Sequence, residues 1–142
     1  MAAWEGTKLG GVNNQNLLEY YLQPKGAEDF DSLQATCEAI GIDCSRFVFF
    51  HADLGPTNII VEEEPVSRKV GIIDFEIAGY FPKGWIRTKF RVSSGMDLSE
   101  SATSEDPKWW RGEVQKALGA NGFEEHADDF MVWRSKRRTS HS

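Results

Sequence analysis

Residues 47–76 decide the fold, and their sequence is FVFFHADLGPTNIIVEEEPVSRKVGIIDFE. Three short apolar runs, at 47–50, 59–61 and 70–73, are rich in aromatic and β-branched residues, which predicts three strands. Glycine and proline mark a loop after the first run, and a proline in a polar stretch marks a turn between the other two. We therefore expect the second and third runs to pair as a β-hairpin.

Apolar residues at helical spacing flank this stretch on both sides. The spacing predicts four helices, which span residues 13–22, 28–40, 107–118 and 124–133. Glycine, proline and serine are frequent over 79–106, which predicts a loop. We expect residues 1–13 and 135–142 to be irregular and flexible. The expected fold class is α+β, in one domain over residues 1–142 that is mostly helical and carries the short hairpin.

Composition excludes several classes of function. The 142 residues are 40% hydrophobic and 27% charged, which is ordinary for one globular domain. The net charge of −6 argues against nucleic acid as a partner, because phosphate contacts need clustered lysine and arginine. The sequence has no apolar run of membrane-spanning length and no signal-peptide pattern. We therefore expect a cytoplasmic protein with no membrane partner, in which Cys37 and Cys44 are free thiols.

Four polar residues at the ends of the predicted strands carry the chemistry: His51, Asp53, Asn58 and Asp74. Phosphoryl transfer needs mainly a positioned acceptor hydroxyl and neutralised phosphate charge. Asp53, at a loop tip, is placed to accept the hydroxyl proton. Mg²⁺ prefers oxygen ligands, which the Asn58 carboxamide and the Asp74 carboxylate provide. Because a hairpin folds back on itself, its two ends are expected to bring Asn58 and Asp74 to one ion.

Each of these residues also has a purely structural interpretation. An aspartate at a strand end commonly caps a turn, and an asparagine before a strand commonly makes a turn hydrogen bond. The joint pattern, with Asp74 21 positions after Asp53, favours function. His51 is expected to support the loop by packing and hydrogen bonding rather than to transfer a proton. For Glu76, binding a second metal ion, bracing the loop and forming an ordinary salt bridge all remain open.

Residues 51–61 resemble the catalytic loop of the aminoglycoside phosphotransferase / choline kinase-like family. Residues 71–80, GIIDFEIAGY, resemble its metal-binding segment, where members carry D-W-E or D-x-E. The continuation over 81–91 is similar to the fungal branch of the family, and the resemblance is specific over 47–98. It implies a protein-kinase-like C-terminal lobe.

The resemblance also implies an activity and its cofactors. It implies a phosphotransferase that moves the γ-phosphate of ATP, with Mg²⁺ as cofactor, to a hydroxyl of a small molecule. Asp53 is then the catalytic base, and Asn58 and Asp74 bind the metal and the nucleotide. A metal-dependent hydrolase that uses His51, Asp53 and Asp74 is disfavoured, because such a site normally needs more ligands.

The chain departs from the family pattern before His51. Family members have an N-terminal nucleotide lobe, which is a small sheet with a glycine-rich phosphate loop and a paired lysine. Only 50 residues precede His51, and between the irregular start and the strand at 47–50 they are predicted to be mainly helical. The glycine-rich run at 6–11 follows no predicted strand and is not expected to bind phosphate. We therefore expect a truncated C-terminal lobe that is inactive or nearly so by itself. The alternative is a non-catalytic kinase-like remnant that acts as a binding or interaction module.

Acidic and aromatic residues late in the chain bear on the acceptor. The acidic residues favour a cationic acceptor, such as an amino sugar, or form only a solvated loop; they are Asp97, Glu100, Glu105 and Asp106. Trp109 and Trp110 offer stacking surfaces for such a molecule, although Trp110 lies on an apolar stripe and is expected in the core.

Overall fold

A computed structural model of the chain describes residues 4–12, 19–22, 30–100 and 106–139. This part of the chain contains six strands and four α-helices, which confirms the predicted α+β class. The elements are β1 Glu5–Gly6, β2 Gly10–Gly11, α1 Phe30–Ile40, β3 Phe47–His51, β4 Ile59–Val61, β5 Val70–Ile72, β6 Ala78–Pro82, α2 Lys83–Val92, α3 Lys108–Ala120 and α4 Ala127–Thr139. Single 3₁₀ turns lie at Pro56–Asn58, Phe75–Ile77 and Ser94–Met96.

Three of the four predicted helices are present in the described residues, and a further helix, α2, was not predicted. Helix α1 confirms the helix predicted over 28–40. Helix α3 begins where expected, because the backbone N–H of Lys108 donates to Asp106 Oδ1 at 2.9 Å. Helix α4 begins and ends later than predicted, so residues 135–139 are helical. Most of the helix predicted over 13–22 lies outside the described residues, and its described end, residues 19–22, is a turn rather than a helix. None of the described helices is long and apolar enough to span a membrane.

A four-stranded antiparallel sheet, in the order β1-β3-β6-β2, holds the centre of the fold. Its central pair is β3 with β6, which places Phe49 opposite Tyr80 and His51 opposite Ala78. All five residues of β3 are buried, which explains why this strand is a continuous apolar run without alternation. The register places His51 at one end of the central pair.

The predicted hairpin is confirmed, and it forms a separate two-stranded sheet. Ile59 pairs with Ile72, and Val61 pairs with Val70. The Glu62 carboxylate organises the turn by accepting the backbone N–H groups and one hydroxyl that follow it, from Val66, Ser67 and Arg68. Several apolar side chains of the hairpin stay exposed: Ile60 by 54%, Val61 by 66% and Val70 by 61%.

The loop predicted over 79–106 is wrong for its first half. Residues 78–82 form strand β6 and residues 83–92 form helix α2, whose buried side chains include Trp85 and Phe90. Proline and glycine in this region suggested breaks in structure. Instead, Pro82 ends the strand and caps the helix, where its missing N–H costs nothing. Gly84 lies in the first turn of α2 and lets two neighbouring side chains come close. An added Cβ would lie 3.2 Å from His126 and from Ile42.

The expectation of an irregular segment over 1–13 is also wrong where the structure describes it. Strand β1 pairs with β3, and β2 pairs with β6, at the two edges of the sheet. The glycine-rich run at 6–11 therefore does follow a strand. Its glycines permit close approach, because a Cβ on Gly6 would lie 2.5 Å from the Tyr80 ring. Equally, a Cβ on Gly79 would lie 2.6 Å from the carbonyl oxygen of Gly10.

The core lies between the sheet and the helices and contains a buried ion pair. Lys89 Nζ donates to Glu19 Oε2 at 2.6 Å, and the Trp85 indole N–H donates to the same oxygen at 3.3 Å. Both charged side chains are almost completely buried. This pair attaches residues 19–22 to helix α2.

Candidate active site

The imidazole of His51 joins the two segments that the sequence singled out. Its ring is completely buried at the end of β3. The backbone N–H of Asp53 donates to Nδ1 at 3.2 Å, and Nε2 lies 2.9 Å from the carbonyl oxygen of Ile73. Since Nδ1 accepts, the ring proton is on Nε2, which donates to that carbonyl. The ring also meets Phe75 edge-on, with centroids 4.8 Å apart. Both nitrogens are therefore engaged in holding backbone.

The side chain of Asn58 organises the loop that carries Asp53. Its Nδ2 donates to the Asp53 carbonyl oxygen at 2.8 Å and to Asp53 Oδ2 at 3.1 Å. Two oxygen acceptors on one side of the amide fix its orientation, so Oδ1 is the atom that can act as a ligand. Asn58 is buried, whereas Asp53 is exposed. The loop thus presents an oriented carboxylate to solvent.

Asp74 follows directly after the hairpin and begins a single 3₁₀ turn. Its backbone is left-handed, with φ 58° and ψ 69°, a conformation that aspartate adopts more readily than most residues. The Ile73 N–H donates to the Asn58 carbonyl at 3.0 Å, and the Ala52 N–H donates to the Ile77 carbonyl at 2.9 Å. The chain on both sides of Asp74 is therefore bonded to the loop that carries Asp53 and Asn58.

Hydrogen bonds join His51, Asp53 and Asn58, and the backbone before and after Asp74 is bonded to the same loop. His51 and Asn58 are buried, and the carboxylates of Asp53, Asp74 and Glu76 are exposed. The buried residues can hold the geometry while the carboxylates meet a ligand.

The chemistry of the donors fits a magnesium ion bound by few protein ligands. Asn58 Oδ1 and the Asp74 carboxylate are hard oxygen donors, and Mg²⁺ usually keeps water and phosphate oxygens for its remaining positions. In the described residues, no three His, Cys, Asp or Glu side chains come together as a metal-binding group. A metal ion bound at this place would therefore need Asn58 Oδ1 as one of its ligands.

The sequence did not reveal the backbone groups that hold the site together. The Ile73 carbonyl accepts a bond from the His51 ring, and the Ile77 carbonyl accepts a bond from the Ala52 N–H. Backbone carbonyls are present in every residue, so the sequence does not single them out. The Phe75 ring was also missed as a contact of His51. The only available signal was its position directly after Asp74.

The residues that the sequence suggested for binding the small-molecule acceptor differ in exposure and in their contacts. Asp97 forms an ion pair with Arg111 at 2.7 Å and is therefore partly neutralised. Glu100 and Asp106 are exposed, and Glu105 lies outside the described residues. Trp109 is 52% exposed, whereas Trp110 is half-buried against Phe90 with ring centroids 6.1 Å apart.

Comparison with protein-family models, with curated proteins and with solved structures found no match to this chain.

Proposed function

We propose that this chain carries the catalytic and metal-binding residues of a kinase-like phosphotransferase, which moves the γ-phosphate of ATP to a hydroxyl of a small molecule. One observation carries the proposal. The buried His51 imidazole and the buried Asn58 carboxamide fix the exposed Asp53, while the His51 ring and the backbone carbonyl of Asn58 bond the chain that leads into a second aspartate, Asp74. Phosphoryl transfer needs positioned charges of this kind more than covalent chemistry.

Asp53 is the proposed base. Its carboxylate is exposed, so an acceptor hydroxyl can reach it, and the bond from Asn58 Nδ2 to Oδ2 restricts its rotation. In this role it accepts the hydroxyl proton as the oxygen attacks phosphorus. A positioned base of this kind typically contributes about 10²–10⁴-fold to the rate.

Asn58 and Asp74 are the proposed magnesium ligands. The ion, when bound with ATP, supplies positive charge beside the transferring phosphate. The backbone bond from Ile73 to Asn58 keeps the two ligand-bearing segments adjacent. Glu76, exposed two residues after Asp74, is a further candidate ligand. His51 acts as a positioning residue, because both of its ring nitrogens are already bonded to backbone.

Calorimetric titration with Mg-ATP tests the binding half of the proposal. We expect saturable binding that is weakened at least about 10-fold by Asp74→Ala, because a direct metal ligand is lost. The matched control is Asp128→Ala, which removes an exposed carboxylate on helix α4. If the chain produces no heat of binding, the non-catalytic kinase-like remnant becomes the better description.

A single-turnover assay at high protein concentration tests the chemistry. The acceptors are a panel of amino alcohols and aminoglycosides, and the product is a phosphate ester detected by mass. We expect Asp53→Asn to reduce its formation by about 10²-fold or more, with Asp128→Asn as the control. Ester formation at an unchanged rate in Asp53→Asn would refute the assigned base. Saturable binding without any ester would favour the remnant.

A further inference from the structure

Strand β5 has one edge that is paired and one that is open. Among the described residues, β5 pairs with β4 alone. The Ile73 N–H donates to the Asn58 carbonyl, so the backbone groups of Ile73 face β4. Because these groups alternate in direction along a strand, Gly71 also faces β4, whereas the N–H and C=O groups of Val70 and Ile72 face the open edge. The edge therefore offers two donors and two acceptors to a further strand.

The open edge of β5 is accessible and largely apolar. Ile73 is 45% exposed, and Val70 and Gly71 are exposed as well. Apolar side chains beside unpaired backbone groups favour the addition of another extended segment. The edge is therefore a docking surface for a strand.

Charges of opposite sign lie at the two ends of this edge. Arg68 and Asp74 both have left-handed backbones, with φ 59° and 58°, and they mark the ends of the segment 69–73. Both residues are exposed. The order along the chain is thus cation, apolar strand, anion. Such a segment is complementary to a second copy of itself that runs antiparallel, because each cation then lies opposite the anion of the other copy.

We propose that the open β5 edges of two copies of this chain pair antiparallel about a twofold axis and form a four-stranded sheet across a homodimer. Hydrogen bonds require groups that face the edge, so Val70 of one copy lies opposite Ile72 of the other. Gly71 then lies at the axis, and Arg68 lies opposite Asp74 of the second copy. A register shifted by two residues in either direction would separate these opposite charges.

The geometry sets the size and the strength of the assembly. Twofold pairing uses the open β5 edge of both copies, so this contact closes at two chains. The paired segment 69–73 supplies far fewer residues than the roughly 20–30 on each side of a standard interface. We therefore expect a weak dimer that forms as the protein concentration rises.

A cysteine at position 71 tests the register directly. In a non-hydrogen-bonded antiparallel pair the two Cα atoms lie about 4.5 Å apart, which suits a disulfide. Gly71 tolerates the change, because an added Cβ would lie 3.6 Å from Ile60, an ordinary contact. We expect Gly71→Cys to form a dimer linked through position 71 under mild oxidation.

Lys69→Cys is the matched control for cross-linking. In the proposed register its two copies lie roughly 13 Å apart along the strands, too far for a disulfide. Both variants keep the two native cysteines, so any linkage through those appears equally in each. Equal cross-linking of Gly71→Cys and Lys69→Cys would overturn the register.

Sedimentation equilibrium over a concentration series measures the dimer without a cross-link. Asp74 is also a proposed magnesium ligand, so the protein is kept in EDTA and the result does not depend on the phosphotransfer proposal. We expect Arg68→Glu to weaken the dimer about 10-fold or more, because two opposite-charge pairs become like-charge pairs. Adding Asp74→Arg to the same chain should restore it. Arg138→Glu, which changes an exposed arginine on helix α4, is the matched control.

Val70→Pro tests the backbone bonds, because proline removes a donor that faces the open edge and leaves the bonds between β4 and β5 in place. We expect it to abolish the dimer. In the wild type, the Val70 and Ile72 amides should exchange more slowly as the concentration rises, while the Gly71 amide should not change, and this result requires no variant to fold. A wild type that stays monomeric throughout the series would overturn the proposal. A dimer that neither Arg68→Glu nor Val70→Pro weakens would also overturn it, because that dimer would use another surface.

Discussion

His51 gives the sharpest test of how the site is held together. Replacement by alanine removes the bond to the Asp53 N–H at 3.2 Å, the bond to the Ile73 carbonyl at 2.9 Å and the edge-on contact with Phe75. Each hydrogen bond contributes about 1 kcal/mol net, and the ring contact contributes about 1 kcal/mol. We therefore expect His51→Ala to lower the free energy of unfolding by about 3 kcal/mol or more, since the ring also leaves a cavity. For a chain of this size, 3 kcal/mol corresponds to a decrease in Tm of roughly 10 °C.

Two further variants separate the two bonds. His51→Asn places an amide near the position of Nδ1 and can keep the acceptor for the Asp53 N–H. His51→Gln reaches the position of Nε2 and can keep the donor to the Ile73 carbonyl. Each variant should recover about 1 kcal/mol relative to alanine, because each restores one bond. Urea denaturation followed by circular dichroism measures all four proteins, and equal m-values establish that the comparison is one of stability.

Amide hydrogen exchange provides a local measurement of the same bonds. The Asp53 N–H should exchange faster in His51→Ala and His51→Gln than in the wild type, and should stay protected in His51→Asn. The reasoning is refuted if His51→Ala changes the free energy of unfolding by less than about 1 kcal/mol. It is also refuted if the Asp53 amide is equally protected in all four proteins.

The other predictions concern the buried ion pair and the hairpin turn. Lys89→Met leaves the buried Glu19 carboxylate without its cation and should cost about 3–5 kcal/mol of stability, most of which Glu19→Gln should restore in the same chain. Urea denaturation of the wild type, the two single variants and the double variant measures the coupling energy between Lys89 and Glu19. Strictly additive changes in the free energy of unfolding would contradict the predicted coupling. The Ser67 hydroxyl, with the N–H groups of the turn, lowers the pKa of Glu62 below its usual 4.5. The ordered turn is therefore favoured above pH 4.5 and is lost as the pH falls through the lowered pKa. The amide shift of Ser67 should report this transition, and Glu62→Gln should abolish it; an unchanged titration in that variant would exclude Glu62 as its origin.

The sequence predicted the elements that have a strong local pattern. Strand β3 and the β4–β5 hairpin are short runs of aromatic and β-branched residues, and the structure contains both. Helix α1 has apolar residues at helical spacing and a glycine directly after its end. In each case local propensity and tertiary packing favour the same conformation, so sequence reasoning succeeds.

Prediction from the sequence was wrong where glycine and proline serve close packing rather than chain reversal. Gly6 and Gly79 occupy strand positions at which neighbouring atoms leave no room for a Cβ. That constraint exists only in the folded sheet, so the sequence does not show it. Two-residue strands such as β1 and β2 are too short to show any periodicity. Pro82 ends a strand and caps a helix at one residue, so a pattern-based interpretation saw only a break.

For the site, the sequence identified the side chains but not what connects them. His51, Asp53 and Asn58 belong to one recognisable pattern, and the structure joins them by hydrogen bonds. The link to the Asp74 segment runs through the carbonyl of Ile73, which no residue type reveals.

The exposed apolar side chains of the β4–β5 hairpin have a consequence for self-association. Within the described residues, each strand of this two-stranded sheet keeps an unpaired edge, and such edges with exposed valine and isoleucine are templates for strand addition by another copy. Three glutamates, at 62–64, follow β4 directly, and Arg68 and Lys69 precede β5. A second copy that added its β4 in parallel would place six carboxylates side by side, and charges of this kind act as gatekeepers against aggregation. The polar turn thus protects an open hairpin from cross-β growth while its apolar side chains remain accessible.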